Sequence, residues 1–499
     1  MMPVIKGFER TGGKEMIREE RNLSMLMDFY ELTMSNGYFV LGQKDKQVAF
    51  DMYYRKNPDN GGFVVCAGLE QFIDYIQNLK FTDEDIDYLR GRGMFDEQFL
   101  DYLRNFKFGG DIYAVPEGTI VFPNTPLVTV KNCPLIDAQL IETMLLLSIN
   151  HQSLIATKAN RIVRAAEGKT VMEFGARRAQ GADAAVYGAR ACYIGGAHAT
   201  ATTSADIAFG IPAVGTMAHS FVQYFDNEYE AFKAYAEVYP DSCTLLIDTY
   251  DLIDSVVKNA IRVAKEVLEP KGYRLKGVRI DSGDLAYLSK KVRKLLDEAG
   301  CEDCIIVVSN SVDEYLIRSL NKQGARIDSY GVGERMITAK SDPVFGGVYK
   351  LVAVKREDGT YQPKIKVSEN VEKITNPGVK ELWRIYDRDT GYSIADLLTL
   401  EGEEVNDEEP YAYMDEVKPW KRRKFTNFRA EKLQKPIFIN GELVYEKPSL
   451  NEIREYVKAQ LESKIWSEEQ RFENPHTHYV DFSPALYELK HRMLGEVNQ

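Results

Sequence analysis

The stretch KGVRIDSGDLAYLSKKVRKLLDEAGCEDCIIVVSN (Lys276–Asn310) decides the fold. KGVRI is a short apolar run and predicts a buried strand. DSGD is a polar turn. LAYLSKKVRKLLDEAG has helical apolar spacing, and CIIVVS is a second buried run. This is one β–α unit closing on the next strand. The same alternation extends both ways. Further apolar runs are TVMEF (170–174), PAVGT (212–216), TLLID (244–248), RIDSYG (326–331) and GVYKLVAV (347–354). Amphipathic segments such as EYEAFKAYAEVY and VDEYLIRSLNKQG lie between them. Seven such runs favour an irregular, TIM-like parallel α/β barrel over an open doubly wound sheet.

Outside this region the pattern changes. Residues 1–135 mix strands and helices without a repeat: VAFDMYYR alternates like a strand, and Thr82 is a plausible N-cap for FTDEDIDYLRGRG. The barrel is expected over 136–365. A C-terminal segment, 366–499, carries a hairpin turning on Asn440-Gly441 and helical patterns from Ser449 and Ser483. The expectation is an α/β barrel flanked by an α+β domain built from both ends of the chain, the C-terminal segment packing with the N-terminal domain.

The chain has 499 residues, and 63 Lys and Arg against 75 Asp and Glu give a net charge of −12. An acidic chain lacks the broad basic field that nucleic acid or an anionic membrane requires. No run approaches the ~20 apolar residues of a membrane helix, and the polar N-terminus does not read as a signal peptide. A cytoplasmic location is the expectation. Among six cysteines only Cys301 and Cys304 form a C-x-x-C, without a second pair, so reduced thiols are the better reading than zinc or redox chemistry. His476 and His478 read as part of a solvated loop.

Barrels gather their chemistry at the C-terminal strand ends. There the sequence places Arg177 and Arg178 after TVMEF, His219 after PAVGT, and Asp248 and Asp251 in the DTYD that follows TLLI. Arg279 lies just inside KGVRI, with Asp281 and Asp284 beyond it. Gly331 and Gly333 form a turn, and FGG (345–347) another. Each has a bland reading: salt-bridged arginines, aspartate N-caps, a core histidine. Together they suit an enzyme acting on a small phosphorylated anion, with forked arginine donors and backbone N–H groups at the glycine turns.

EFGARRAQGADAAVYGARACYIGG, GTMAHSFVQYF, LLIDTYD, GVRIDSGDL and GGVYKLVAV, with LMDFYELTMSNGYF near the N-terminus, resemble the nicotinate phosphoribosyltransferases. KVSENVEKITNPGVKELWRIYD adds to the likeness. The resemblance implies a type II phosphoribosyltransferase that forms nicotinate mononucleotide and diphosphate from nicotinate and 5-phosphoribosyl 1-diphosphate, coupled to ATP hydrolysis with Mg²⁺, in NAD biosynthesis. It implies His219 as a phosphohistidine, with Asp248 as a catalytic aspartate. Phe174, and Tyr30 from the other subunit of a homodimer, would sandwich the pyridine ring. Arg279 would meet the nicotinate carboxylate, Thr216 would lie beside the ligand, and Arg177 and Arg178 would belong to the anion-binding surface. Gly331, Gly333 and Glu334 would line the phosphoribosyl site. Glu334 stands where relatives carry threonine, so either it points away, toward Arg335 or a metal ion, or the glycine N–H groups hold the phosphate. Asp281 is a candidate to orient His219. The rival readings are a nicotinamide phosphoribosyltransferase, a quinolinate phosphoribosyltransferase needing neither ATP nor phosphohistidine, and a non-catalytic ligand-binding paralogue.

Overall fold

The computed structural model describes residues 21–497 except 371, 372, 417, 419 and 421. The described residues form two compact units, one over Lys158–Pro343, the other combining 21–157 with the segment from Val344 onward.

The first unit is built on a six-stranded parallel sheet. Its spatial order is Ala199–Thr200, Thr170–Glu173, Ser329–Val332, Ile305–Val308, Gly277–Ile280, Thr244–Leu246. The strand of this sheet that comes last in sequence pairs with Thr170–Glu173, the one that comes first, Gly331 opposite Met172. Beyond Thr200 a single parallel bridge adds Ala213. No ladder among the described residues joins that bridge to the 244–246 strand, and this is where the barrel is irregular. PAVGT, expected as a full strand, contributes only that bridge. Pro212 has no N–H to donate, and glycines at 210 and 215 weaken the segment on both sides. The two-residue 199–200 strand, hidden in GGAHAT, was not expected.

GVYKLVAV corrects the expectation further. It forms a strand, Gly347–Lys355, but belongs to the second unit, antiparallel to Gln47–Tyr54. The parallel unit therefore starts and stops inside the expected limits of 136 and 365. An apolar run alone does not say which sheet it joins.

Among the described residues the second unit has two large sheets and a two-stranded one, Val64–Val65 with Ile120–Val121. The seven-stranded one runs Tyr361–Pro363, Gly347–Lys355, Gln47–Tyr54, Val128–Pro134, Asp111–Ala114, Lys435–Ile439, Glu442–Leu443. Strands from both ends of the chain share this sheet, since Lys435–Ile439 pairs with Asp111–Ala114. The Asn440-Gly441 hairpin forms as expected: φ is 51° and 80° at the two residues, the pair of positive values a tight two-residue turn requires. A second, six-stranded sheet contains Lys380–Asp387 and Ser393–Leu400.

His478 is not solvated. It is buried, stacked 3.6 Å from Phe122, with Nδ1 2.8 Å from Glu469 and Nε2 3.5 Å from Asp396. Arg384 closes the network with a bidentate bond to Asp396 at 2.7 and 2.9 Å. His476 is exposed. All six cysteines are buried and free, and the described residues contain no cluster of three potential metal ligands. No helix among them is long and apolar enough to cross a membrane.

The buried acids of this unit set its pH response. Burial pushes Glu31 and Asp481 up to about 7 and Asp137 up to about 6. For His478 burial opposes the charge, but the Asp396 and Glu469 carboxylates outweigh it and raise the imidazole. All four bind their proton more tightly folded than unfolded. Their stabilisation is full below the unfolded values and is lost as pH rises through the folded ones, at up to about 1.4 kcal/mol per pH unit for each proton. Asp396 runs the other way. Burial opposes its ionisation, yet Arg384 and His478 hold it down to about 2, so its contribution is lost only as pH falls toward that value. The melting temperature should therefore be higher near pH 5 than near pH 8, and Glu31→Gln should flatten the slope. A melting temperature that climbs from pH 5 to pH 8 contradicts this.

Candidate active site

Every strand end of the parallel unit turns into a polar loop, and side chains from several of these loops meet. Gly277–Ile280 carries Arg279 one residue inside its end. Its guanidinium is held at three corners: Nε–H donates to Ser309 Oγ at 2.9 Å, Nη2 to Asp281 Oδ1 at 3.2 Å, Nη1 to Thr216 Oγ1 at 3.4 Å. It also lies 5.7 Å from the centre of the Phe174 ring. Five N–H groups less three leaves one on each terminal nitrogen.

Phe174 follows the first strand and is bonded through its N–H to Val332 O at 2.8 Å. Its ring packs with Met172, Ala199 and Val307. The strand beside it has to carry Gly331, because a Cβ there would come within 2.5 Å of the Phe174 ring. Gly333 would bring a Cβ to 3.0 Å from Phe174 O. Both glycines thus serve close approach to Phe174, whatever they offer a ligand. The preceding residue, Glu173, is buried and accepts from Thr200 Oγ1 at 2.6 Å, Thr202 Oγ1 at 3.3 Å and the Gly175 N–H. Burial raises the Glu173 carboxyl against those bonds.

His219 opens a short helix, His219–Tyr224. Its Nδ1 is 3.0 Å from Thr249 Oγ1, and its Nε2 is 3.9 Å from Asp281 Oδ2. The side chain keeps 42% of its surface exposed, so it is not a core residue. Thr249 thus lies closer to the imidazole than Asp281, the residue expected to orient it, and the two face different ring nitrogens. Asp281 is tied elsewhere: Oδ1 accepts from Ser309 and Arg279, and its N–H donates to Asp248 Oδ2 at 2.9 Å. Ser282 Oγ donates to the same Asp248 oxygen at 2.6 Å, while Asp248 Oδ1 is buried without a partner. Asp284 caps the following helix by accepting from Tyr287 N–H at 3.0 Å, as the bland reading has it.

Arg177 and Arg178 sit in a short turn, Ala176–Arg178, both exposed. Glu334 bonds Lys340, with Arg178 Nε 4.0 Å away. Lys340 holds the Glu334 carboxyl below its ordinary range. Arg335, one suggested partner, instead donates to Asp313 at 2.6 Å. The FGG turn lies in the second unit, where a Cβ on Gly347 would meet Asn150 Oδ1 at 2.0 Å; that glycine serves packing.

Tyr30 also belongs to the second unit, on the helix Phe29–Val40. It is 43% exposed, and Leu26, Phe29 and Met34 near it in sequence are exposed as well. Burial, then the Glu142 carboxylate, pushes its hydroxyl above the ordinary tyrosine range.

The geometry brings His219, Asp248, Asp281, Thr216, Arg279 and Phe174 into one connected group, with Gly331 and Gly333 behind the ring. Sequence reasoning missed Thr249, Ser282 and Ser309. Small hydroxyl residues after strands are common, and only their contacts single these out.

Three family descriptions match the chain in series. The nicotinate phosphoribosyltransferase (NAPRTase) N-terminal domain matches residues 25–150, the NAPRTase family residues 170–384, and the C-terminal domain residues 379–490. A protein of Bacillus subtilis (strain 168) named nicotinate phosphoribosyltransferase is 44% identical over 481 residues, 96% of this chain and 96% of its own. A human protein of that name is 31% identical over 531 residues, covering 93% and 95%. The crystal structure of human nicotinic acid phosphoribosyltransferase aligns with a TM-score of 0.83 at 28% identity, covering 94% of this chain and 100% of that one.

Proposed function

Because the chain belongs to the nicotinate phosphoribosyltransferase family, we propose that it joins nicotinate to 5-phosphoribosyl 1-diphosphate, with His219 accepting a phosphoryl group from ATP to drive the step. The products are nicotinate mononucleotide and diphosphate, which places the enzyme in NAD biosynthesis.

The Arg279 clamp carries this reading. A guanidinium fixed at three corners, with one N–H left on each terminal nitrogen, suits a carboxylate. Phe174 beside it offers a face for a flat, electron-poor ring. The ribosyl carbon becomes oxocarbenium-like as diphosphate leaves, so the protein's task is chiefly to position the ring nitrogen and stabilise charge. Arg177 and Arg178 face solvent near this mouth and supply donors for phosphate.

His219 has the exposure a phosphoryl acceptor needs, and Thr249 orients its ring. Mg²⁺ typically reaches a protein through one or two carboxylates plus substrate phosphates. The unpartnered Asp248 Oδ1 fits that donor set, so Asp248 would hold the ion, which supplies charge neutralisation to the phosphates. The exposed apolar run Leu26, Phe29, Tyr30 and Met34 supports a homodimer in which this helix docks on a partner and presents Tyr30 to the partner's ring site.

The test is an assay with nicotinate or nicotinamide, 5-phosphoribosyl 1-diphosphate, ATP and Mg²⁺. Nicotinate should give mononucleotide with ADP and phosphate. Turnover with nicotinamide alone moves the chain to the nicotinamide reaction, and no turnover with either leaves the non-catalytic reading.

A further inference from the structure

Ser309 stands between the two ends of the site. It is buried, at the residue after the Ile305–Val308 strand, and its N–H donates to Ile280 O at 3.0 Å. Its hydroxyl makes two contacts of opposite sense. It accepts from Arg279 Nε–H at 2.9 Å and donates to Asp281 Oδ1. Arg279 Nη2 reaches the same carboxylate oxygen at 3.2 Å. The other oxygen of Asp281 faces His219 Nε2 at 3.9 Å. One continuous chain therefore runs Arg279, Ser309, Asp281, His219, and ends on Thr249 at 3.0 Å from Nδ1.

We propose that Ser309 is a positioning residue that couples occupancy of the Arg279 carboxylate clamp to His219. The proposal rests on the reading of Arg279 as the nicotinate clamp and His219 as the phosphoryl acceptor. An anion on the two remaining N–H groups of Arg279 draws guanidinium charge away from Asp281. The Asp281 carboxylate then acts more fully on the imidazole it faces, since charges this close in a partly buried site interact with little screening. Ser309 makes the link directional. Its hydroxyl donates to Asp281 while its lone pair takes the Arg279 Nε–H, and each bond polarises the other, so the serine ties the arginine and the aspartate together. Without that hydroxyl Arg279 can still bind a carboxylate through its terminal nitrogens, but Asp281 is free to follow either neighbour. Phosphoryl turnover on His219 would then no longer wait for the base.

The measurement is the ratio of ADP released to mononucleotide formed, taken with and without nicotinate at saturating 5-phosphoribosyl 1-diphosphate. Ser309→Ala should raise the ratio roughly tenfold, the equivalent of one charge-assisted hydrogen bond, and ATP hydrolysis should lose most of its dependence on nicotinate. Ser309→Thr, which keeps the hydroxyl, should restore the original ratio. If the alanine variant does not fold, Ser309→Cys serves the same purpose, because a thiol fills the space but donates and accepts weakly. A variant that slows both products equally, with ratio and nicotinate dependence unchanged, overturns the proposal and leaves Ser309 a packing residue. An unmodified protein that makes mononucleotide without hydrolysing ATP overturns the phosphohistidine reading itself, a result visible before any variant is made.

Discussion

His219→Ala should abolish acid-labile labelling by γ-labelled ATP and remove the whole ATP-dependent part of mononucleotide formation, leaving only a slow ATP-independent rate. The imidazole begins a short helix at a strand mouth, is 42% exposed and has Nδ1 held at 3.0 Å by Thr249. The same substitution should scarcely move stability. One partly exposed hydrogen bond is worth about 1 kcal/mol, which in a unit of this size shifts melting by roughly 2–4 °C. The competing account, a histidine that only holds two backbones together, expects the opposite pair of results: a large drop in melting temperature with labelling intact. Measuring both on one preparation decides between them.

Arg279→Leu should raise the nicotinate KM far more than the 5-phosphoribosyl 1-diphosphate KM. Truncating one partner of a largely desolvated, hydrogen-bonded charge pair costs about 2–5 kcal/mol, or roughly 30-fold to several-thousand-fold in affinity. The side chain is 15% exposed, so water screens the contact little. Arg279→Lys should not rescue it: an ammonium cannot satisfy Ser309, Thr216 and Asp281 while still offering a fork. Nicotinamide carries no carboxylate for the clamp, so its KM should change less. An equal rise for the acid and the amide would show that the substitution disturbs the pocket at large and would remove Arg279 as the discriminating residue.

The strand–helix alternation from Thr170 to Val332 was legible because each buried run and each amphipathic helix is a local pattern. The turn at Asn440-Gly441 and the cap at Thr82 were legible for the same reason: each depends on a few adjacent residues. The failures share a cause as well. GVYKLVAV has the composition of a strand in either sheet, and only its pairing with Gln47–Tyr54 places it. PAVGT looked like a strand but has a proline without a ladder donor and nearby glycines that weaken a strand, and it supplies one bridge. His478 sits in a polar run, PHTHY, that gives no hint of Phe122, Glu469 and Asp396 closing around it from distant parts of the chain.

For the site, the residue types at the strand ends were readable because the parallel barrel sends every C-terminal end to one mouth. That suffices to nominate His219, Arg279, Asp248 and Asp281. Which of them touch is another matter. That Thr249 rather than Asp281 takes His219 Nδ1, that Ser309 joins Arg279 to Asp281, and that Glu334 turns to Lys340 are contacts between loops 30 residues apart or set by side-chain direction. Sequence by itself determined the element pattern and the chemical inventory of the mouth, since both follow from local periodicity and strand order. The tertiary structure alone decided which sheet each run joined and which hydroxyls and carboxylates became partners, because hydrogen bonds and ladder pairings depend on distances that one-dimensional spacing does not encode.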